Sequence, residues 1–170
     1  TMGVLRASEK CNGSGDCRKG PQAGGTMCPS YMATREEKHT TRARANILRQ
    51  ILTEPADAEH PFNSEEIKEV MDLCLSCKAC KSECPSSVDM TKLKAEFQQH
   101  YHEANGVPLR SRMVAHFADS ARLASFAPRL YNAFFQTPIL RRIANPLIGF
   151  HSERSIPRLN RITLRRWFAS

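Results

Sequence analysis

The sequence predicts an all-α fold, and three observations predict it. Apolar residues recur at helical spacing in three stretches of the first hundred residues, no useful run alternates apolar with polar as a half-buried strand would, and prolines cut the remainder into short helical pieces. The first stretch starts at Thr40 or Thr41, either of which can cap it, and runs to about Leu52. Ala43, Ile47, Leu48, Ile51 and Leu52 share one face, with Arg42, Arg44 and Arg49 on the other side. The second opens on Asn63-x-x-Glu66, a capping-box variant, and sets Ile67, Val70, Met71 and Cys74 at i, i+3, i+4 and i+7. Ser87 is the expected cap of the third, whose buried stripe is Met90, Leu93, Phe97 and Tyr101. Beyond it, pieces break at Pro128, Pro138, Pro146 and Pro157. Met113, Val114, Phe117, Ala118 and Ala121 make an apolar face, and Thr137-Pro138 is a cap followed by a proline at the first helical position.

The third helix should stop at Asn105-Gly106-Val107-Pro108, and a change of character falls at the same place. The whole chain of 170 residues carries net charge +8. Residues 1–106 hold 14 Lys/Arg against 15 Asp/Glu. Residues 107–170 hold 11 Arg, no Lys, Asp119 and Glu153, together with six of the eight Phe and the single Trp. Two domains are therefore expected: a near-neutral one over 1–106 and an Arg/Phe-rich helical extension over 107–170. Arginine among aromatics suits nucleic acid, an anionic membrane surface, or an arm packed on a larger protein. No nucleic-acid motif accompanies it, so nucleic acid is set aside. No apolar stretch approaches the length of a membrane span, and no secretory signal opens the chain. The expected location is the cytoplasm, or the inner face of a membrane as a peripheral protein.

All seven cysteines lie within residues 1–84. Cys74-x2-Cys77-x2-Cys80-x3-Cys84-Pro85 has the spacing of bacterial ferredoxins, in which three thiolates hold one cubane and the fourth ligates the neighbouring one. Zinc prefers two separated pairs, and seven is a poor number for a disulfide framework. The second set, Cys11-x5-Cys17-x10-Cys28-Pro29, has Ser14 where a middle cysteine would stand. Crossed wiring follows: Cys28, Cys74, Cys77 and Cys80 complete one [4Fe–4S] cluster, and Cys11, Cys17 and Cys84 form a three-thiolate site. That second site suits a [3Fe–4S] cluster, or a [4Fe–4S] cluster whose fourth iron takes Ser14 oxygen, water or another group. Non-ligating cysteines at positions 11 and 17 are the alternative. Gly13 and Gly15 let the backbone come close to a cluster.

Cysteine loops between helices are the arrangement of an α-helical ferredoxin. Residues 10–18 (KCNGSGDCR), 27–34 (MCPSYMAT) and 37–49 (EKHTTRARANILR) resemble the iron–sulfur segment of large bacterial FAD-linked oxidases of the D-2-hydroxyacid dehydrogenase kind, acting on D-lactate or D-2-hydroxyglutarate. The resemblance continues through Cys74–Pro85 and into the tail at residues 144–149 (ANPLIG), 154–157 (RSIP) and 163–167 (TLRRW). It implies an electron-transfer module, with FAD confined to a partner domain or subunit. Electrons would pass to a quinone, a protein acceptor or a Cys-rich C-terminal domain. A free-standing ferredoxin-like carrier and a helical interaction domain that has lost its clusters are the alternatives. No Gly-rich dinucleotide loop and no catalytic constellation is present, so this chain by itself has no substrate-converting site.

Among the remaining polar residues, His39 either tunes a cluster or is a solvated or capping histidine. His100 and His102 sit where a helix C-terminal dipole favours imidazole. His60, His116 and His151 have no ligand spacing. Arg42 and Arg44 either offset the charge of a reduced cluster or are ordinary surface arginines.

Overall fold

Every regular element described in the computed structural model, which covers residues 2–169, is helical. The predicted all-α class is the observed one. The chain divides into two compact units, one ending at Gly106 and one beginning at Val107.

The first unit holds α1 (Met2–Ser8), α2 (Pro29–Thr34), α3 (Thr41–Thr53), α4 (Glu65–Asp72), α5 (Ala79–Glu83) and α6 (Met90–Asn105), with 3-10 turns at Asp16–Arg18 and Glu37–His39. Thr40 caps α3: its hydroxyl accepts from Ala43 N–H at 2.9 Å. Of the expected stripe, α3 buries Leu48 and Leu52 and leaves Ala43, Ile47 and Ile51 half-buried, while Thr41, Arg44 and Ala45 are buried as well. Neighbours on two sides decide this, because α1, α4 and α6 all pack on α3. Ala45, Leu48 and Ile67 are wholly buried, and Met71, Met90 and Phe97 nearly so. These side chains form the core that sets α3, α4 and α6 behind the cysteine loops.

Two expected caps move by a residue or two. Ser64, not Asn63, caps α4 by accepting from Ile67 N–H, and Asn63 instead accepts from the Asn105 amide. Asp89, not Ser87, caps α6, since Ser87 takes a left-handed conformation (φ 51°) in the turn before it. A carboxylate also complements the N-terminal dipole better than a hydroxyl does. Cys74 lies beyond the end of α4, and Tyr101 is only half-buried on α6. The stop after α6 is as expected: Gly106, at φ 81°, donates to His102 O at 2.8 Å.

The second unit comprises α7 (Leu109–Ala115), α8 (Phe117–Ala124), α9 (Pro128–Gln136), α10 (Pro138–Leu147) and α11 (Leu164–Phe168). Pro146 does not break α10 but sits inside its last turn. Asn145, wholly buried, turns the chain back by donating to the carbonyls of His151 and Arg154. The following extended segment then runs along α9, where Asn132 and Leu159 exchange two hydrogen bonds of 2.8 and 2.9 Å. Helices α7 to α9 bury no residue, and Leu123, Phe126 and Leu130 are each more than 70% exposed. No helix among the described residues is long and apolar enough to cross a membrane.

Candidate metal centre

Cys28 ends the loop before α2, and a turn carrying Cys74 and Cys77 joins α4 to α5, which holds Cys80. Both turns use backbone conformations that side-chain-bearing residues seldom adopt: Cys28, Ser76 and Lys78 have φ of 57°, 53° and 64°. Each costs roughly 1–3 kcal/mol and persists only where the surroundings enforce it. Left-handed residues interspersed in a turn are the dihedral signature of backbone concavities that hold anions, iron–sulfur clusters included.

Cys28, Cys74, Cys77 and Cys80 line one cavity, together with Thr41, Arg44, Lys78 and Met90. No carboxylate lines it. Among the described residues no three His, Cys, Asp or Glu groups gather tightly enough to share a single ion. A cubane makes a different demand, one thiolate at each of four iron corners, and this donor set fits it. Cys28 Sγ is further prepared for negative charge: the N–H of Thr41, the first residue of α3, donates to it at 3.1 Å, and the Thr41 hydroxyl lies at 3.0 Å. Burial pushes the Cys80 thiol up from its ordinary value.

The other three cysteines are placed differently. Cys17 is buried in the first 3-10 turn, and its thiol is brought down to about 6 by hydrogen bonding from Cys28, with Arg42 N–H and the Thr40 hydroxyl adding to the effect. The same contact and burial push Cys28 the other way. Cys17 thus meets Cys28, and Cys11 and Cys84 pack half-buried against the core. Ser14 is exposed, its N–H turned to Asn12 Oδ1 at 3.1 Å. Gly13 and Gly15 are both left-handed, at φ 78° and 81°.

The two Cys-Pro loops are pinned to each other. Glu83, next to Cys84, accepts from Thr26 N–H at 2.8 Å, from the Thr26 hydroxyl at 2.8 Å and from Met27 N–H at 3.1 Å, just before Cys28. These bonds hold its carboxyl below the usual range. Gly25 makes room for the clamp, since a Cβ there would lie 2.5 Å from Glu83 Oε2.

Charged groups around the cavity overturn part of the sequence reading. Arg44 is not a surface arginine: it is 2% exposed and donates to Val70 O (2.8 Å), His39 O (2.7 Å) and Ser30 Oγ (3.1 Å). Arg42 is partly exposed and pairs with Glu37. His39 is neither solvated nor a cap but buried, and burial holds its imidazole below its ordinary value. His100 stacks on Phe62 at 4.7 Å between Glu96 and Glu103. Lys94 was missed altogether. It is 9% exposed, and its ammonium donates to Cys74 O at 2.6 Å and to Asp72 O at 3.4 Å. Its place four residues after Met90 and three before Phe97, on the buried face of α6, was the available signal.

Comparison with known proteins agrees with the cysteine pattern. The family described as "4Fe-4S dicluster domain" matches residues 10–89. The chain is 30% identical to D-2-hydroxyglutarate dehydrogenase of Escherichia coli over 85% of its own length and 17% of that protein's. It is 29% identical to the protein of the same name from Pantoea ananatis, over 95% of this chain and 19% of that one. A probable glycolate oxidase iron–sulfur subunit of Bacillus subtilis is 26% identical over 51% of this chain and 19% of the subunit. The chain thus spans less than a fifth of the length of these relatives. No solved structure matches it.

Proposed function

From the match of residues 10–89 to the 4Fe–4S dicluster domain family, we propose that the chain is an electron-transfer module of a FAD-linked 2-hydroxyacid dehydrogenase. The observation that carries this reading is the cavity lined by Cys28, Cys74, Cys77 and Cys80. Those four thiolates would hold a [4Fe–4S] cluster, and Cys11, Cys17 and Cys84 would hold a second, either [3Fe–4S] or a [4Fe–4S] whose fourth iron takes Ser14 oxygen, water or another group. A bound cluster would supply one-electron storage without proton transfer. The residues of the chain do the rest. Thr41 orients Cys28 and donates to its sulfur, and Glu83 fixes one Cys-Pro corner against the other. Leu48, Ile67 and Met71 keep water from the back of the loops.

The relatives' names point to a 2-hydroxyacid, D-2-hydroxyglutarate or glycolate, as the electron source. Its oxidation would take place at FAD in a partner domain or subunit. Residues 107–170, with their exposed Leu123, Phe126 and Leu130 and net charge of +9, would be the arm that packs on that partner. The onward acceptor would be a quinone, a protein or a Cys-rich domain.

Iron counting and electron paramagnetic resonance (EPR) on anaerobically purified chain test the reading. Two clusters are expected, one of them a reducible [4Fe–4S]. A folded, colourless, iron-free protein would overturn it. Ser14→Cys should convert a three-iron second site toward four irons, and an unchanged cluster type would remove Ser14 from the missing position.

A further inference from the structure

Burying a cation is unfavourable unless a negative charge meets it. Among the described residues, Arg44 and Lys94 are the buried Lys/Arg side chains. Neither is among the described ion pairs. The Arg44 guanidinium meets two carbonyls and a hydroxyl. The Lys94 ammonium meets the carbonyls of Asp72 and Cys74. Hydrogen bonds to neutral groups satisfy the donors but give neither charge an ion-pair partner; the Asp72 charge favours the Lys94 ammonium only from beyond ion-pair distance. Both charges stand at one place: Arg44 lines the cavity with Cys28, Cys74, Cys77 and Cys80, and Lys94 grips the backbone of Cys74 itself. Thr41 lies on the same cavity, with both its N–H and its hydroxyl on Cys28 Sγ.

An anion in the cavity would complete this arrangement. Four thiolates give a [4Fe–4S] cluster net negative charge, and one added electron increases it. We propose that Arg44 and Lys94 are the counter-charges of the cluster held by Cys28, Cys74, Cys77 and Cys80, and that with Thr41 they raise its reduction potential. The proposal rests on the cluster assignment made above. The step is a single electron transfer: one electron arrives from a reductant, dithionite in the test, no bond forms or breaks, and no proton moves. Cations and donors near the sulfurs favour the more negative state, so removing them lowers the potential.

An anaerobic dithionite titration of the whole chain, followed by EPR and paired with iron analysis, tests this. Lys94→Met and Arg44→Met should each lower the ratio of reduced to oxidised cluster about tenfold at the parent's midpoint, which is about 59 mV for one electron. Thr41→Val, which removes the hydroxyl and keeps the N–H, should lower it several-fold. Lys94→Arg, Arg44→Lys and Thr41→Ser should return toward the parent, which a purely structural role would not require. If a Met variant loses its iron, the Thr41 pair and the charge-keeping variants decide. Full iron content with an unshifted midpoint in Lys94→Met and Thr41→Val overturns the proposal and leaves the cluster assignment standing. Absence of any cluster from the parent chain overturns the assignment itself.

Discussion

His39 illustrates what one buried side chain contributes. The Thr34 hydroxyl donates to Ser30 O at 2.9 Å, which leaves its oxygen to accept from His39 Nδ1 at 2.7 Å. Burial lowers the imidazole's affinity for a proton, Arg44 and Lys38 oppose protonation, and Glu36 and Glu69 favour it. The unfolded chain therefore binds this proton more readily than the folded one. Stability from His39 is complete above the unfolded value of about 6.5 and is lost as pH falls below it toward the depressed folded value. Thermal melts across this range should show an acid loss in the parent that His39→Gln lacks; equal losses in both would contradict it. The buried state of His39, Arg44 and Lys94 was not legible in the sequence, because each is a polar residue whose burial comes from elements distant in the chain. The Val70 carbonyl that receives Arg44, for example, lies 26 residues away. The cysteines were legible, since their spacing is itself the chemical constraint.

At the scale of elements, the sequence located α3, α4 and α6 but shifted their edges. Both misplaced caps have the same cause: Asn63 and Ser64, like Ser87 and Asp89, are all competent caps, and only the path of the preceding turn selects between them. The buried face of α3 is wider than its periodicity predicts, taking in Thr41, Arg44 and Ala45 beside Leu48 and Leu52, because this helix is covered by α1, α4 and α6. Leu48 lies at the centre of that cover with no exposure. Leu48→Ala should cost about 2–5 kcal/mol, the range for a core leucine whose cavity cannot collapse. Chemical denaturation would read this as a lower midpoint at unchanged slope. A loss below about 1 kcal/mol would mean that α3 is packed less tightly than its burial indicates.

For the whole molecule, charge and packing divide at Gly106. The first unit has its own continuous core and all seven cysteines. Residues 1–106 produced alone should therefore hold the iron content and EPR signals of the full chain; loss of iron would assign residues 107–170 a part in cluster retention. In the second unit side-chain amides bond to backbone, as at Asn132 and Asn145, and apolar side chains such as Phe126 are left uncovered. Its Phe-rich composition foretold apolar faces but not that they lie outside the unit's own packing, because periodicity marks a face without naming what covers it.

The Glu83 clamp also bears on how the chain tolerates insertion. Thr26 and Glu83 are 57 residues apart in sequence, yet three hydrogen bonds fix the spacing of the corners that follow them. Between those anchors lies an exposed, irregular loop over residues 54–60. Extra residues there would lengthen the tour without changing where it returns, so the loop is free to vary in length while the two Cys-Pro corners keep their gauge.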